Sequence, residues 1–223
     1  MTQWYIANAF IPIPPACDGD EEALADFEHV VLSQQPASAP WMPVTDYSWE
    51  ARQAIEGPHA DLIRDVFQPK RVLDAGCGPG HLVRLLRERW IDTDGVDLHP
   101  PRDLDCFPWD ISDGRRPSPF WVDLVVCREV LEHLTIRQIA QAVRTLCASS
   151  SRFVYVTTRF APASSHLLHV DTSDDLDPTH ISMLHPVLLR ALFVLEGFKR
   201  RADLESKMDW KGLGRVLVYE RAD

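Results

Sequence analysis

A glycine-rich loop constrains the fold of this chain more than any other sequence feature. An apolar segment, Val72–Ala75, runs into glycines spaced G-x-G-x-G at Gly76, Gly78 and Gly80. A helical stretch follows, and the acidic residue Asp97 ends the next apolar segment, about twenty residues beyond the first glycine. This order of strand, glycine turn, helix, strand and acid predicts a nucleoside-cofactor site at the first crossover of a doubly wound α/β sheet.

The details of the loop favour a cationic cofactor over a dinucleotide. A dinucleotide needs G-x-G-x-x-G, so that pyrophosphate can approach bare backbone N–H groups. Here Pro79 removes one N–H, and Asp74 adds a carboxylate where the phosphates would lie. S-adenosylmethionine carries a nucleoside and a positively charged end, so Asp74 can face the positive end and Asp97 can accept the ribose hydroxyls. We therefore predict S-adenosylmethionine as the cofactor.

From residue 57 onward, the chain resembles the class I S-adenosylmethionine-dependent methyltransferases of small molecules and glycans. The glycine loop and Asp97 match, and Asp110-Ile111 resembles the pair beside the adenine amino group. Strand Val122–Cys127 runs into R-E-V-L-E-H-L, which is similar to the E-x-L-E-H stretch of many small-molecule methyltransferases. The resemblance implies cofactor contacts from these loops, which contain Asp74, Gly76, Cys77, Gly78, Gly80, Asp97, Leu98, Asp110, Ile111 and Cys127.

The expected fold is an α/β, doubly wound, Rossmann-like, mostly parallel seven-stranded sheet with a C-terminal antiparallel hairpin. Strands are predicted at Arg71–Asp74, Thr93–Asp97, near Leu104–Asp110, Val122–Cys127, Arg152–Thr157, Phe198–Asp203 and Gly214–Glu220. One helix is predicted at Gly80–Trp90, a second after a capping box of Thr135 and Gln138, and a third from His185-Pro186. An earlier helix is predicted from the apolar stripe of Ile55, Leu62, Ile63 and Val66.

Two parts of the chain are expected. Residues 49–223 form the methyltransferase domain, and residues 1–48 form a proline-rich extension. The extension carries Trp4, Trp41 and Tyr47 and an acidic helix at Asp20–Leu32. Its aromatic residues favour a lid packed on the domain over a disordered leader.

Bulk properties narrow the function classes. A formal net charge of −10 argues against nucleic acid as the main partner. Five cysteines without a C-x-x-C pair argue against a disulfide framework or a zinc finger. No apolar run is long enough to cross a membrane, and the N-terminus has no basic start, so we expect a cytoplasmic protein without a membrane partner.

The acceptor site is expected in the long segment Thr158–Leu184 and at the end of the fourth strand. Its Asp177-Pro178-Thr179-His180 stretch resembles the D-P-T-H stretch of many sugar and small-molecule methyltransferases, which makes His180 the first candidate base. His133 is the rival. An Mg²⁺ site at His169, Asp171 and Asp175 is the less favoured alternative to a solvated loop, so no metal ligand is predicted.

The predicted function is methyl transfer from S-adenosylmethionine to an oxygen of a small molecule or glycan. Two alternatives stay open. One is a non-catalytic S-adenosylmethionine-binding subunit that serves a partner enzyme. The other is an NAD-dependent oxidoreductase or epimerase, against which Asp74 and Pro79 count.

Overall fold

The chain is described by a computed structural model at residues 3–6, 9–12, 28, 31, 32, 34, 48–115, 121–161, 168, 169 and 179–222. The strands are β1 Gln3–Ile6, β2 Ala9–Pro12, β3 Arg71–Ala75, β4 Asp92–Asp97, β5 Cys106–Pro108, β6 Val122–Arg128, β7 Ser150–Thr157, β8 Leu168–His169, β9 Met183–Leu184, β10 Phe198–Arg200 and β11 Val216–Arg221. The helices are α1 Trp49–Phe67, α2 His81–Arg87, α3 Ile136–Ser149, α4 Pro186–Leu195 and α5 Ala202–Met208, with 3₁₀ turns at Ile111–Asp113 and Leu131–His133.

Seven strands form the main sheet in the order β10-β11-β7-β6-β3-β4-β5. The five strands from β7 to β5 are parallel, whereas β11 pairs antiparallel with both β7 and β10. The predicted fold class is therefore confirmed. Because the parallel strands share a direction, their carboxyl ends meet at one edge of the sheet, where the strand order predicts the ligand site.

The last two strands are antiparallel, but a helix separates them. The predicted strand Phe198–Asp203 was too long, since β10 ends at Arg200 and Asp203 lies in α5. Leu204 and Met208 are one helical turn apart and are both buried against the sheet. Burial of this pair explains why the chain turns helical directly after β10.

Apolar layers cover both faces of the sheet. On one face α3 and α4 bury Ile139, Val143, Leu189 and Phe193 against the strands. On the other face α1, α2 and α5 form a second cluster. The capping box of Thr135 and Gln138 is confirmed at the start of α3, as is the start of α4, where His185 caps the helix and Pro186 is its first residue.

The predicted buried face of α1 was partly wrong. Ile55 is 42% exposed, whereas Glu56 and His59 are buried together with Ile63. The helix turns these polar side chains inward because both bind Arg128, a half-buried residue at the end of β6. The spacing of apolar residues cannot predict this buried face of α1, because two of the residues that it buries, Glu56 and His59, are polar.

Helix α2 is shorter than predicted and ends at Arg87 instead of Trp90. Trp90 adopts a positive φ of 61° and is 96% exposed, so the chain leaves the helix before this residue. No helix among the residues that the structure describes is long and apolar enough to cross a membrane.

The N-terminal extension is described only in part. Val31 packs against the main core, and Gln34 contacts the domain through hydrogen bonds to three residues. Most of the predicted helix Asp20–Leu32 lies outside the described residues, as do Trp41 and Tyr47.

Candidate cofactor and acceptor site

The glycine loop packs tightly on two sides and is open at its tip. A Cβ on Gly76 would lie 2.4 Å from Val130 Cγ2, and a Cβ on Gly80 would lie 2.4 Å from Leu104 Cδ1. Both glycines have positive φ, of 81° and 77°. At Gly78, whose φ is 50°, a Cβ would meet no heavy atom within 4 Å. Only the tip of the loop therefore leaves room beside the backbone, which is where a ligand could approach.

Asp97 lies against this open tip at the carboxyl end of β4. Its Oδ2 accepts a hydrogen bond from Gly78 N at 2.9 Å, and its Oδ1 accepts one from His99 N at 2.9 Å. Gly76 N and Cys77 N both donate to the carbonyl of Val96. The backbone thus holds the Asp97 carboxylate beside the loop, in the position expected of a group that accepts ribose hydroxyls.

The remaining predicted cofactor residues on this side surround the end of β5. Leu98 is 59% exposed, so its side chain is available to pack on a flat ring. Asp110 caps a 3₁₀ turn by accepting from Ser112 N at 2.8 Å and Ser112 Oγ at 2.6 Å, and Ile111 is buried. Trp109, which directly precedes Asp110, has a buried Nε1 without a hydrogen-bond partner among the described residues.

The two predicted cysteines lie in different environments. Cys77 lies in the loop, and its thiol contacts that of Cys106, which raises the pKa of Cys77. Cys127 lies within β6, and its side chain is wholly buried in the core. Burial raises the pKa of the Cys127 thiol well above its ordinary value, which excludes a reactive thiolate there.

A buried ionic network supports the sheet edge beneath the loop. Arg128 donates to Glu56 at 3.0 Å and to His59 Nδ1 at 2.9 Å, and His59 Nε2 contacts the Tyr155 hydroxyl at 2.8 Å. Since arginine can only donate, Nδ1 of His59 must accept, and Nε2 carries the proton toward Tyr155. Sequence reasoning missed Glu56, His59 and Arg128, because nothing in their spacing predicts that they meet.

The network sets the charges of its members. Burial opposes ionisation of Glu56, but Arg128 and Arg52 hold its pKa below the ordinary value. Burial, aided by Arg128, lowers the pKa of His59 to about 2, so its imidazole is neutral. Burial opposes the charge of Arg128 too, yet Glu56 and Asp74 raise its pKa.

Asp74 is buried at the end of β3, with 3% of its surface exposed. Burial raises its pKa to about 7, although Arg128 opposes the shift, and the carboxylates of Glu56 and Asp97 add to it. A carboxyl group in this state gains from a nearby cation, because the cation favours its charged form. The residues present therefore fit S-adenosylmethionine, with Asp97 for the ribose and Asp74 for the positive end.

His133 and His180, the two predicted acceptor-site residues, lie together. Their ring centroids are 4.8 Å apart, although they come from separate segments of the chain. Glu132 completes a cluster in which one ligand atom of each residue lies within 4.8 Å of the others. Val130, which touches the glycine loop, lies two residues before Glu132, so this cluster belongs to the same edge of the sheet. The Asp-rich loop that includes Asp171 and Asp175 lies outside the described residues.

The Asp97→Ala variant is expected to bind S-adenosylmethionine with roughly tenfold or more lower affinity. The ribose hydroxyls would lose hydrogen bonds to a charged group, each worth about 1.5–3 kcal/mol. Isothermal titration calorimetry measures the change. Asp92→Asn is the matched control, since Asp92 begins the same strand and pairs with Arg71 far from the loop. Equal affinities in folded Asp97→Ala and wild-type protein would remove Asp97 from the site.

Cofactor affinity is also expected to depend on pH through Asp74. The pKa of its carboxyl is about 7 without ligand, and a cationic ligand binds the deprotonated form better. Affinity should therefore fall as the pH drops below about 7, by up to roughly tenfold per pH unit, and binding should release a proton. Calorimetry in buffers of different ionisation enthalpy detects that proton. Asp74→Asn should abolish the release, and a pH-independent wild-type affinity would contradict this role.

Comparison with known proteins agrees with this geometry. A family model described as a methyltransferase domain matches residues 49–201, which is more than half of the chain. A trans-aconitate 2-methyltransferase of Streptomyces avermitilis is 39% identical over 59 residues, a stretch that spans only 22% of each chain. An O-methyltransferase family protein from Burkholderia thailandensis has a similar fold, with a TM-score of 0.57 at 16% identity over 91% of this chain and 69% of that one.

A sugar N-methyltransferase from a Streptoalloteichus species also shares the fold, with a TM-score of 0.55 at 16% identity over 85% of this chain and 99% of that one. The matched domain includes the glycine loop, Asp97 and the Glu132-His133 turn. Both the family match and the sheet order exclude the oxidoreductase alternative. The chain belongs to the methyltransferase-domain family, the class I enzymes that use S-adenosylmethionine as their cofactor.

Proposed function

We propose that this protein transfers a methyl group from S-adenosylmethionine to an oxygen atom of a small molecule or glycan. The single observation that carries the choice of oxygen is the cluster of Glu132, His133 and His180 beside the glycine loop. A neutral amine has a lone pair ready to attack, whereas a hydroxyl must lose its proton as it attacks. Two imidazoles and a carboxylate at this edge suit the second case.

When bound, S-adenosylmethionine supplies a methyl group on a sulfonium, which is a good leaving group. The residues of the chain then have three tasks. Asp97 and Asp74 hold the cofactor, the Glu132 turn positions the acceptor oxygen, and the histidines receive its proton. As the oxygen–carbon bond forms, the carbon–sulfur bond breaks and a neutral thioether leaves.

A small acceptor is supported by two observations. The formal net charge of −10 disfavours a polyanionic nucleic-acid partner. The partial match to a trans-aconitate methyltransferase names a small tricarboxylate as the acceptor of that relative. Because the solved relatives include both an O- and an N-methyltransferase, the fold alone does not choose the acceptor atom.

We also propose that the N-terminal extension forms part of a lid over the acceptor site. Gln34 supports this, because its Nε2 donates to Ile181 O at 2.7 Å and to Ser182 Oγ at 2.8 Å. Its Oε1 accepts from Ile136 N at 2.9 Å. One side chain of the extension thus joins the start of α3 to the loop that carries His180.

Purified protein and methyl-labelled S-adenosylmethionine, offered to hydroxylated aromatics, hydroxy acids, polycarboxylates and sugars, test the proposal. The expected product is a methyl ether or ester, identified by mass spectrometry and NMR. Exclusive methylation of amines in a matched panel would overturn the choice of oxygen. Tight cofactor binding without any methyl transfer would favour the non-catalytic subunit instead.

A further inference from the structure

Glu132, His133 and His180 bring three side chains close enough together that they could hold a metal ion. One carboxylate oxygen and one nitrogen from each imidazole all lie within 4.8 Å of one another. Glu132 and His133 come from the 3₁₀ turn after β6, and His180 comes from the loop before β9. Glu132 and His180 are buried, and His133 is half-buried, so the three groups converge in a largely water-excluded place.

Glu132 lacks the partners that a buried carboxylate needs. Its exposure is 0%, and its Oε1 has no hydrogen-bond partner among the described residues. Its Oε2 accepts one hydrogen bond, from the Thr158 hydroxyl at 2.9 Å. A buried oxygen without a partner is costly, and a bound cation would satisfy it.

The hydrogen bonds around the cluster orient its groups as ligands. His133 Nδ1 lies 3.2 Å from the Thr179 carbonyl and 2.8 Å from the Thr179 hydroxyl. Since a carbonyl only accepts, the contact with the Thr179 carbonyl is satisfied when the proton of His133 is on Nδ1. Imidazoles that bind metals commonly donate their other N–H to a backbone carbonyl in this way. Carboxylates that bind metals also accept hydrogen bonds, as Glu132 does here from the Thr158 hydroxyl.

Backbone contacts hold the two segments of the cluster together. The carbonyl oxygen of Glu132 accepts from Ile181 N at 2.9 Å and from Ser182 N at 3.0 Å. Gln34 binds the same loop and the first residue of α3, Ile136. The three side chains are therefore held in place before any ligand binds, which lowers the ordering cost of binding one.

We propose that Glu132, His133 and His180 bind a single divalent transition-metal ion, of which Zn²⁺ and Mn²⁺ are representatives. Two imidazoles and one carboxylate form a three-ligand set that leaves coordination positions open. Mg²⁺ suits the set less well, because it prefers oxygen ligands. The histidines then act as ligands, and this revises the prediction from sequence that they serve as a base and that no metal is bound.

A role for the ion follows from the proposed function and rests on it. A cation at this edge of the sheet can bind the acceptor hydroxyl and lower its pKa, so that the oxygen attacks as an alkoxide or phenolate. The proton leaves to solvent or to a neighbouring base. Metal binding itself depends only on the three side chains, so it can be measured without knowing the acceptor.

Metal-depleted, untagged, full-length protein should be titrated with Co²⁺ alone, followed by visible absorption, and with Zn²⁺ alone, followed by calorimetry. We expect one ion per chain. His180→Ala and Glu132→Gln should each weaken binding by at least roughly tenfold. His185→Asn is the matched control: it retains a helix-capping side chain at the start of α4 and should bind the ion like the wild type. Circular dichroism and S-adenosylmethionine affinity verify that each variant folds.

The outcomes separate this proposal from the proposed function. Absence of stoichiometric Co²⁺ or Zn²⁺ binding in folded protein, or equal binding by His180→Ala, would overturn the metal site. If the protein binds the ion but the chelator-treated form still methylates a hydroxyl at the wild-type rate, the proposed function and the metal site stand and the ion's role in activating the acceptor falls. If the ion binds as expected but every acceptor remains unmethylated, the metal site stands and the proposed function falls.

Discussion

The His180→Ala variant is expected to methylate its acceptor more slowly by a factor on the order of 10²–10⁴, with unchanged affinity for S-adenosylmethionine. His180 is buried beside His133 and Glu132, so its removal takes away a group that activates the acceptor oxygen. Loss of a general base at the reacting atom typically costs this much, and loss of a ligand to the proposed metal ion would slow turnover in the same direction. The cofactor should be unaffected, because we propose that Asp97 and the glycine loop, which follow β4 and β3, hold it. Steady-state turnover and calorimetry measure the two effects separately.

Two further variants make the result specific. His185→Asn changes another histidine of the same region, one that caps α4, and its turnover should match the wild type. His133→Ala should behave like His180→Ala, since the two rings lie in one cluster. Normal turnover in His180→Ala together with a collapse in His133→Ala would assign the chemistry to His133 alone.

The Arg128→Met variant is expected to lose about 3 kcal/mol of unfolding free energy, the lower end of the usual cost of breaking a buried ion pair, because Glu56 is buried but Arg128 is 23% exposed. Arg128 binds Glu56 at 3.0 Å, and its charge also faces the buried Asp74. Methionine would fill much of the space but would leave these carboxyl groups without their cation. Urea denaturation followed by circular dichroism gives the free energy from the transition midpoint and slope.

An exposed arginine provides the comparison. Arg144 pairs with Glu196 at 3.2 Å, but its side chain is 63% exposed, so Arg144→Met should cost no more than about 1 kcal/mol. The double variant Arg128→Met with Glu56→Gln should recover part of the loss, because one uncompensated charge is removed. Equal losses in Arg128→Met and Arg144→Met would show that the buried network contributes nothing to stability.

Local patterns in the sequence predicted the parts of the fold that depend on neighbours along the chain. The glycine loop, the acid that ends β4, the capping box at Thr135 and the proline at the start of α4 all follow from short-range backbone chemistry. The order of strands and helices then predicted the doubly wound sheet, since parallel strands with crossover helices have few other arrangements.

Predictions failed where long-range contacts override local propensity. Asp203 was assigned to a strand, yet it lies in a short helix that buries Leu204 and Met208. Ile55 was assigned to a buried face, yet the helix turns Glu56 inward toward Arg128, which lies far along the chain at the end of β6. A binding partner so far away in sequence produces no hydrophobic periodicity near the residue that it buries, so the sequence around Glu56 gives no sign of its burial.

The sequence by itself determined the class of fold and the cofactor, and it predicted the edge of the sheet at which we propose the chemistry, because these depend on the motif order and on the direction of parallel strands. It also named His133 and His180, but as separate candidates. Only the tertiary structure decided that they meet Glu132 in one buried cluster, since the contact of Ile181 and Ser182 with the Glu132 carbonyl brings a distant loop onto the turn. The chemistry of a buried group depends on what surrounds it, and that environment exists only after the chain has folded.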